Sequence, residues 1–264
     1  MSRITETFSK LARKGEQAFI PFIMAGDPDL ETSRELAIEA EQQGADIIEL
    51  GIPYSTPLAD GPTIKEAGQR SLKQGTNLND IFNLVTKIRE DSQMPLVLMG
   101  YYNPIFNYGV EEFASDCEAN GVDGVIIPDL PIGEDDRLRA AASELDIISL
   151  IAPTSTDNRI QRVANKAEGF IYAVSTLGTT GTREEVSRQV EDIVSQVREL
   201  TSTPVAVGFG ISRPQHVEEI AQFADGIIVG SAIIKKITAN LTNREEMIAE
   251  AGKLINQLQS PLRN

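Results

Sequence analysis

Eight short runs of apolar residues recur along the chain, and each is followed by a loop and then by an amphipathic stretch. The runs show no alternation of polar and apolar residues, which is typical of strands in a parallel sheet covered on both faces. The stretches between them carry apolar residues at helical spacing, as in 186–200 and 247–258. Strand and helix are therefore predicted to alternate throughout. The eight predicted strands are 18–24, 47–50, 95–99, 124–127, 147–151, 170–174, 205–207 and 226–229.

Eight such units in 264 residues predict an α/β fold, a closed (β/α)8 TIM barrel, better than an open sheet, which needs fewer strands or more chain. No low-complexity linker divides the sequence, so residues 1–264 are predicted to form a single domain. An extra N-terminal helix is expected near 2–13. Extra helices are also expected after strand 8 and after strand 2, where the long crossover 63–89 is broken at Gly75.

The composition excludes several classes of function. A formal net charge of -15 disfavours a nucleic-acid partner, because phosphate backbones are bound by clustered lysine and arginine residues. The single cysteine, Cys117, excludes an internal disulfide framework. No apolar run approaches the roughly 18 to 20 residues that cross a bilayer, and the first residues, MSRITETFSK, are polar. We therefore expect a cytoplasmic protein with no membrane association.

In such a barrel the chemistry collects at the carboxyl ends of the strands, where the loops that follow them converge. Three late loops carry glycines there, in STLGTTG (175–181), GFG (208–210) and GS (230–231). Glycine lets backbone N–H groups approach an anion, and a helix that begins near Ser231 adds partial positive charge. The alternative is that the glycines only form tight turns and Ser231 only caps the helix. Convergence of the three loops favours a phosphate site.

Two carboxylates belong to the same end of the barrel. Glu49 closes the apolar second strand, where loss of hydration should raise its pKa toward the range in which it both donates and accepts protons. Asp60 follows in a loop held by Pro53, Pro57 and Pro62. The alternatives are an ion pair for Glu49 and a turn or helix cap for Asp60. Two carboxylates in different environments can divide an acid–base reaction between them.

Other mechanisms lack the residues that they need. Lys235 and Lys236 fall inside the helix after strand 8 and not at a strand end, so a Schiff-base aldolase is disfavoured. His216 is the only histidine and falls at the start of a helix, where a solvated or helix-end role is favoured over catalysis. It lacks partners for a histidine-ligated metal. Further polar residues at predicted strand ends are Asp27 and Asp129.

Eight motifs spread along the chain carry a family resemblance: FIPFIMAGDP, ELGIPYSTPLADGPTI, MGYYNPIFNYG, GVDGVIIPDLP, APTSTDNRI, STLGTTGTR, VGFGISRP and GIIVGSAII. Together they resemble the α subunits of tryptophan synthase, which are indole-3-glycerol-phosphate lyases. A short motif such as GFG has little specificity alone. The set covers essentially the whole chain and is highly specific.

The resemblance implies a retro-aldol reaction that yields indole and glyceraldehyde 3-phosphate. Glu49 would protonate the indole ring at C3, and a carboxylate would then accept the proton of the side-chain hydroxyl as the C–C bond breaks. Asp60 would accept a hydrogen bond from the indole N–H and stabilise the positive charge that develops on the ring. An acid of raised pKa beside an aromatic slot, with a phosphate site one substrate length away, fits this reaction.

The resemblance also implies the residues that bind the substrate. The phosphate donors would be Gly181, Gly210, Gly230 and Ser231. Thr180 would meet the catalytic aspartate when its loop closes, unless that loop is only an ordinary exposed one. The other predicted substrate contacts are Phe22, Ile64, Tyr101, Tyr172 and Phe209, beside residues near Met99.

A partner follows from the same resemblance. Two such chains flank a tryptophan synthase β dimer in an α2β2 heterotetramer, pyridoxal phosphate is held by β, and the α chain needs no cofactor. Segments 54–58 and 101–109 carry apolar and aromatic residues suited to that interface, or else to packing over the rim. The family usually has aspartate where this chain has Thr56. Coupling to β is therefore expected to be weaker or rerouted.

Three other functions are compatible with the same scaffold. One is a stand-alone indole-3-glycerol-phosphate lyase that releases indole to solution, which Thr56 slightly favours. Another is a non-catalytic activating subunit, which the retention of both Glu49 and Asp60 disfavours. The third is a sugar-phosphate isomerase, which lacks a well-placed histidine or lysine.

Overall fold

A computed structural model of the protein describes residues 2–174, 183–208 and 210–263. Eight parallel strands are hydrogen-bonded in sequence order, and the eighth pairs with the first to close a barrel. The predicted TIM barrel is confirmed, and each predicted strand boundary lies within one residue of the observed one. The strands are β1 (Ala18–Met24), β2 (Ile48–Gly51), β3 (Leu96–Met99), β4 (Gly124–Ile126), β5 (Asp146–Ile151), β6 (Ile171–Val174), β7 (Val205–Gly208) and β8 (Gly226–Val229).

Helices surround the barrel. In the described part of the chain they are α1 (Arg3–Lys14), α2 (Leu30–Gln42), α3 (Pro62–Lys73), α4 (Leu78–Arg89), α5 (Tyr102–Tyr108), α6 (Val110–Asn120), α7 (Asp136–Ala141), α8 (Asp157–Lys166), α9 (Arg183–Arg198), α10 (Pro214–Ala221), α11 (Ser231–Ala239) and α12 (Arg244–Gln259). Within these ranges, no helix is both long enough and apolar enough to span a bilayer.

The extra helices lie mostly where the sequence predicts them. Helix α1 precedes the first strand, α3 and α4 follow β2 with Gly75 between them at a φ of 83°, and α11 and α12 follow β8. The crossover after β3 also holds two helices, and the sequence analysis missed this pair. Helix α5 spans only seven residues, YNPIFNY, with Pro104 in its first turn, so it shows no apolar period.

At the amino-terminal ends of the strands, the floor of the barrel, apolar side chains fill the interior. Helix α1 buries Ile4, Phe8 and Leu11 among them, and the ring centroids of Phe8 and Phe170 lie 5.6 Å apart. The other members of this cluster are Ala18, Ile20, Ile47, Val97, Ile126, Ile148, Ala206 and Ile228. Helix α1, the extra helix predicted near the N-terminus, therefore covers the floor of the barrel.

A second apolar layer joins the strands to the helices outside them. Phe19, Ile23 and Leu50 belong to this layer. Because strand residues alternate between the two faces of a sheet, their neighbours face the interior. In the parallel register of β1 and β2, Phe22 stands opposite Glu49, one step beyond the packed floor and toward the mouth.

Candidate active site

A cavity of about 1020 Å³ opens at the carboxyl ends of the strands. Most of the residues predicted from the sequence to form the site line it, and Met99 lines it as well. Those residues are Phe22, Glu49, Asp60, Ile64, Tyr172, Gly210, Gly230 and Ser231. Three other predicted site residues, Thr180, Gly181 and Phe209, lie outside the described residues.

Glu49 is the most deeply placed carboxylate of this cavity. Its side chain points into the barrel interior, as that of Ile47 does two residues earlier, and only 2% of the residue is exposed. One carboxyl oxygen, Oε2, is buried and has no hydrogen-bond partner in the described structure. Burial, and secondarily the charge of Asp60, raises the pKa of Glu49 to about 8. Among the described residues Glu49 forms no ion pair, against the alternative of a pair at the strand end, and the carboxyl group is held largely protonated at neutral pH.

Two glycines of the strands leave room for the aromatic rings beside Glu49, and the sequence analysis did not identify them as such. A Cβ on Gly51 of β2 would lie 2.5 Å from Cζ of Phe22. A Cβ on Gly208 of β7 would collide with the hydroxyl group of Tyr172. Burial raises the pKa of Tyr172, with Glu49 and Asp60 adding to the effect, so its phenol remains protonated. Glycine as the last residue of an apolar strand is the signal that could have indicated these close approaches.

Asp60 lies in the irregular segment between β2 and α3. The backbone N–H of Ala59 donates to Tyr101 Oη at 2.9 Å. Burial raises the pKa of Asp60, while a hydrogen bond from Tyr101 and the charge of Lys65 oppose that rise. Tyr101 is itself buried, and burial with the nearby Asp60 charge raises its pKa. The geometry thus places Tyr101 behind the Asp60 loop, where it holds the carboxylate, and not in the cavity lining where the sequence analysis put it.

One wall of the cavity suits an anion. Helix α11 begins at Ser231, directly after β8, and its N-terminal residues face the cavity. A helix N-terminus carries about half a positive charge and unpaired N–H groups. The N-cap is Gly230, with no side-chain cap bond, so the alternative that Ser231 only caps the helix is wrong. Gly210 joins this wall with a φ of 36°, a conformation that favours glycine.

His216 supports the loop that carries Gly210. It lies in the first turn of α10 and is buried, and its Nδ1 accepts from the backbone N–H of Ser212 at 3.3 Å. The predicted helix-end role is therefore confirmed, and the solvated alternative is wrong. His216 does not line the cavity described above.

Three basic residues also line the cavity. Lys235 and Lys236 belong to α11, as predicted, and Arg159 belongs to the first turn of α8. Lys236 is engaged by Glu250 at 3.1 Å. Among the described residues, no three or more His, Cys, Asp or Glu side chains come together as a metal-binding group.

Fold and site together define a class of protein: a (β/α)8 barrel with one large cavity at the carboxyl ends of its strands, lined by two carboxylates and by the N-terminus of a helix. A family model described as tryptophan synthase alpha chain matches residues 8–262. The chain belongs to the tryptophan synthase alpha chain family. Members of this family cleave indole-3-glycerol phosphate and carry no cofactor of their own, so the chain is a lyase of tryptophan biosynthesis.

Individual relatives agree with this assignment. The chain is 50% identical over 237 residues to the tryptophan synthase alpha chain of Geotalea uraniireducens, covering 89% of each chain. It is 46% identical over 260 residues to that of Alkaliphilus metalliredigens, covering 98% of this chain and 97% of the other. Among solved structures, the alpha chain from Legionella pneumophila superposes with a TM-score of 0.91 at 34% identity, covering 99% and 97%. Tryptophan synthase from M. tuberculosis in an open form gives 0.90 at 33% identity, covering 100% and 99%.

Proposed function

We propose that Glu49 and Asp60 carry out the cleavage of indole-3-glycerol phosphate in this cavity, releasing indole and glyceraldehyde 3-phosphate. One observation carries the proposal: a buried carboxyl group, with an oxygen that has no partner among the described residues, lines the same cavity as a helix N-terminus bordered by glycines. A buried polar group without a partner costs stability. Such a cost is explained when the group meets its partner in the substrate.

The reaction needs one proton to be delivered and another to be removed. Glu49, protonated at neutral pH because its pKa is about 8, donates to C3 of the indole ring. The carboxylate so formed accepts the proton of the side-chain hydroxyl as the C–C bond breaks and the aldehyde forms, which restores the acid. Asp60 accepts a hydrogen bond from the ring N–H and opposes the positive charge that the ring acquires. A negative charge fixed where positive charge develops lowers the barrier.

The substrate spans the cavity in one orientation. The indole ring packs among Phe22, Ile64, Met99 and Tyr172, with Phe209 as a further predicted contact. The phosphate binds at Gly210, Gly230 and Ser231, with Gly181 as a further predicted donor and Thr180 as the predicted contact of Asp60 on closure. The support is that the described members of both groups line one cavity.

We propose a β subunit of tryptophan synthase as the partner, in an α2β2 complex that transfers indole to a site with pyridoxal phosphate held by β. Solved neighbours include tryptophan synthase from M. tuberculosis in an aminoacrylate-bound form. On the predicted interface segments, Leu58 is 82% exposed and Phe106 is 56% exposed, which is unusual for large apolar side chains. We also propose that the chain acts in the cytoplasm as one domain and needs no cofactor.

A second candidate is a stand-alone lyase that releases indole to solution. The observation that favours it is Thr56, which is exposed on the same rim and cannot form the ion pair that an aspartate would form. A purely activating subunit is disfavoured, because it has no use for a buried carboxyl group without a partner.

One assay decides between these functions. The purified chain is incubated with indole-3-glycerol phosphate, and both indole and glyceraldehyde 3-phosphate are quantified with and without the cognate β subunit. We expect equal amounts of the two products, with a rate that rises when β is added. A rate indifferent to β supports the stand-alone lyase, and the absence of both products under either condition contradicts the proposed activity.

A further inference from the structure

A buried ion pair follows the first strand and is not used by the proposed reaction. Arg70 of α3 donates to both carboxylate oxygens of Asp27, with Nε–Oδ1 at 2.7 Å and Nη2–Oδ2 at 2.8 Å. The side chain of Asp27 is fully buried and that of Arg70 is 22% exposed. Asp27 stands at a strand end, as the sequence predicted, but it does not line the cavity.

The loop that carries Asp27 is fixed on several sides. The backbone N–H of Gly26 donates to Ser33 Oγ of α2 at 2.9 Å. Ser71 Oγ of α3 donates to the carbonyl oxygen of Ala25 at 2.6 Å. A bidentate arginine–carboxylate pair adds a fixed orientation as well as energy. Asp27 is therefore a rigid anchor for the guanidinium group of Arg70.

Arg70 makes a third contact that joins two helices. Its Nη2 also donates to Thr238 Oγ1 of α11 at 3.0 Å. Among the described residues, this is the one side-chain hydrogen bond between α3 and α11. Arg70 lies eight residues beyond the first residue of α3, and Thr238 lies seven beyond the first residue of α11. At a rise of about 1.5 Å per residue, the contact is roughly 10 to 12 Å from each N-terminus.

Both helices begin at the proposed substrate site. Helix α3 starts two residues after Asp60, and its Ile64 lines the cavity. Helix α11 starts with the turn 230–232, which lines the cavity and is proposed above to bind the phosphate; it is called the anion-binding turn. Glu49 is held by the strand ladder on both sides, whereas Asp60 and Ser231 lie outside the strands, at or beside the first turns of α3 and α11. A contact that ties the two helices together limits how far one slides past the other.

We propose that Arg70, anchored by Asp27 and bonded to Thr238, is a positioning residue that sets the separation between Asp60 and the anion-binding turn of α11. The proposal rests on the proposed function, because it assigns the two ends of one substrate to these two helices. A ligand that spans both ends gains affinity only when their separation matches its length. The two halves of that ligand, bound separately, do not sense the separation.

The test compares a linked ligand with its parts. The linked ligand is an indole joined through C3 to a phosphate by a three-carbon chain, which cannot be cleaved by a retro-aldol step, and the parts are indole and glycerol phosphate. We expect Arg70→Lys, which loses the planar fork, to weaken the linked ligand about tenfold, and Thr238→Val to weaken it about threefold. Binding of indole alone and of glycerol phosphate alone should change less than about twofold.

Two matched controls separate positioning from general loss of structure. Thr86→Val removes a Thr86 Oγ1–Asn120 Oδ1 hydrogen bond of 2.6 Å between α4 and α6, and Arg89→Lys alters a buried arginine–carboxylate pair at the barrel floor. Both should lower the melting temperature and leave the affinity for the linked ligand unchanged. Isothermal titration calorimetry gives all the affinities, and each variant is first checked for a cooperative thermal transition.

The outcomes are distinct. Equal weakening of the linked ligand and of the two parts, or equal weakening in the Thr86 and Arg89 controls, overturns the positioning role. A wild-type chain that binds the linked ligand no more tightly than the parts overturns it as well. A wild-type chain that binds the linked ligand tightly but does not cleave indole-3-glycerol phosphate contradicts the proposed function and leaves the positioning role intact. Direct binding therefore judges the two proposals separately.

Discussion

Two carboxylates at the floor of the barrel have hydrogen-bond partners of a kind that Glu49 at its mouth lacks. At the floor, Asp46 accepts from the backbone N–H of Phe19 at 2.8 Å and from Arg263 at 2.6 Å. Asp123, also at the floor, accepts from the backbone N–H of Leu96 and from two arginines. At the mouth, Glu49 is buried with one oxygen that has no partner in the part of the chain that the structure describes. The two floor carboxylates are thus hydrogen-bonded to a neighbouring strand and to arginine, whereas one oxygen of the Glu49 carboxyl group has no such partner.

The difference separates stability from chemistry on one scaffold. A floor carboxylate that accepts from a neighbouring strand closes the ladder where hydrogen bonds would otherwise be missing. A mouth carboxylate without a partner destabilises the fold, since nothing compensates its loss of water. We therefore expect substitutions at the floor to change unfolding and substitutions at the mouth to change turnover.

The strongest test of this contrast is Glu49→Gln. Glutamine keeps the shape of the side chain but cannot donate an acidic proton, so kcat for cleavage of indole-3-glycerol phosphate should fall by about 10³-fold or more. KM should change little, and the melting temperature should stay equal or rise. Steady-state kinetics and thermal unfolding measure the two effects. Full turnover in this variant would remove Glu49 from the mechanism.

The mirror-image experiment is Asp123→Asn at the floor. Removing one charge leaves Arg3 and Arg89 without their carboxylate, and Arg89 is buried. The free energy of unfolding should fall by about 3 kcal/mol, while kcat of the folded enzyme stays near the wild-type value. Urea unfolding and kinetics at low temperature measure both. A lost kcat with unchanged stability would break the division between floor and mouth.

A smaller effect on rate is expected for Asp60→Asn. The amide still accepts a hydrogen bond from the indole N–H but carries no negative charge for the ring cation, so kcat should fall by about 10²-fold. Unfolding should change by less than about 1 kcal/mol, since Asp60 is only partly buried in an irregular segment. Single-turnover kinetics isolates the chemical step. A kcat within threefold of wild type would show that the charge of Asp60 is dispensable.

The smallest effect is expected at the rim. Thr56 is exposed and contacts Ser55 through their hydroxyl groups at 3.3 Å, so Thr56→Asp should leave turnover of the isolated chain unchanged. Added β subunit should activate this variant several-fold more than wild type, because an aspartate can pair with a basic group of the partner. Thr56→Ala is the matched control and should be activated as wild type is. Equal activation of the wild type, Thr56→Asp and Thr56→Ala by the β subunit would contradict the hypothesis that Thr56 weakens or reroutes the coupling.

The sequence predicts the barrel and much of its mouth because both depend on local pattern. Apolar runs and helical spacing locate the strands, and a glutamate within such a run has to face either core or cavity. Glycines at strand ends likewise mark Gly210 and Gly230 before any packing is known.

What the sequence could not predict depends on contacts between distant residues. Tyr101 is hydrogen-bonded to Ala59 of the Asp60 loop, 42 residues away in the sequence, and Arg70 to Asp27, 43 residues away. No local pattern indicates either pairing, so Tyr101 was expected in the cavity wall and Asp27 was only one more polar residue at a strand end. Helix α5 was missed for another reason, because its seven residues are too few to show a helical period.

Protonation of Glu49 also links activity to stability. Its pKa is raised from 4.5 to about 8 by burial, so between these values the folded chain holds a proton that the unfolded chain has released. The stability that Glu49 contributes, measured against Glu49→Gln, should be complete below pH 4.5 and should be lost as the pH rises toward 8, at about 1.4 kcal/mol per pH unit. Turnover should decline above the same pH because the acid is then ionised.

The most direct measurement is the titration of this one carboxyl group by infrared difference spectroscopy, with the Glu49→Gln spectrum subtracted from that of the wild type at each pH. We predict a protonated carboxyl band at neutral pH that disappears with a midpoint near the pKa of about 8. A midpoint near the ordinary value of 4.5 would contradict the account, since Glu49 would then be ionised at neutral pH with no proton to give to the indole ring.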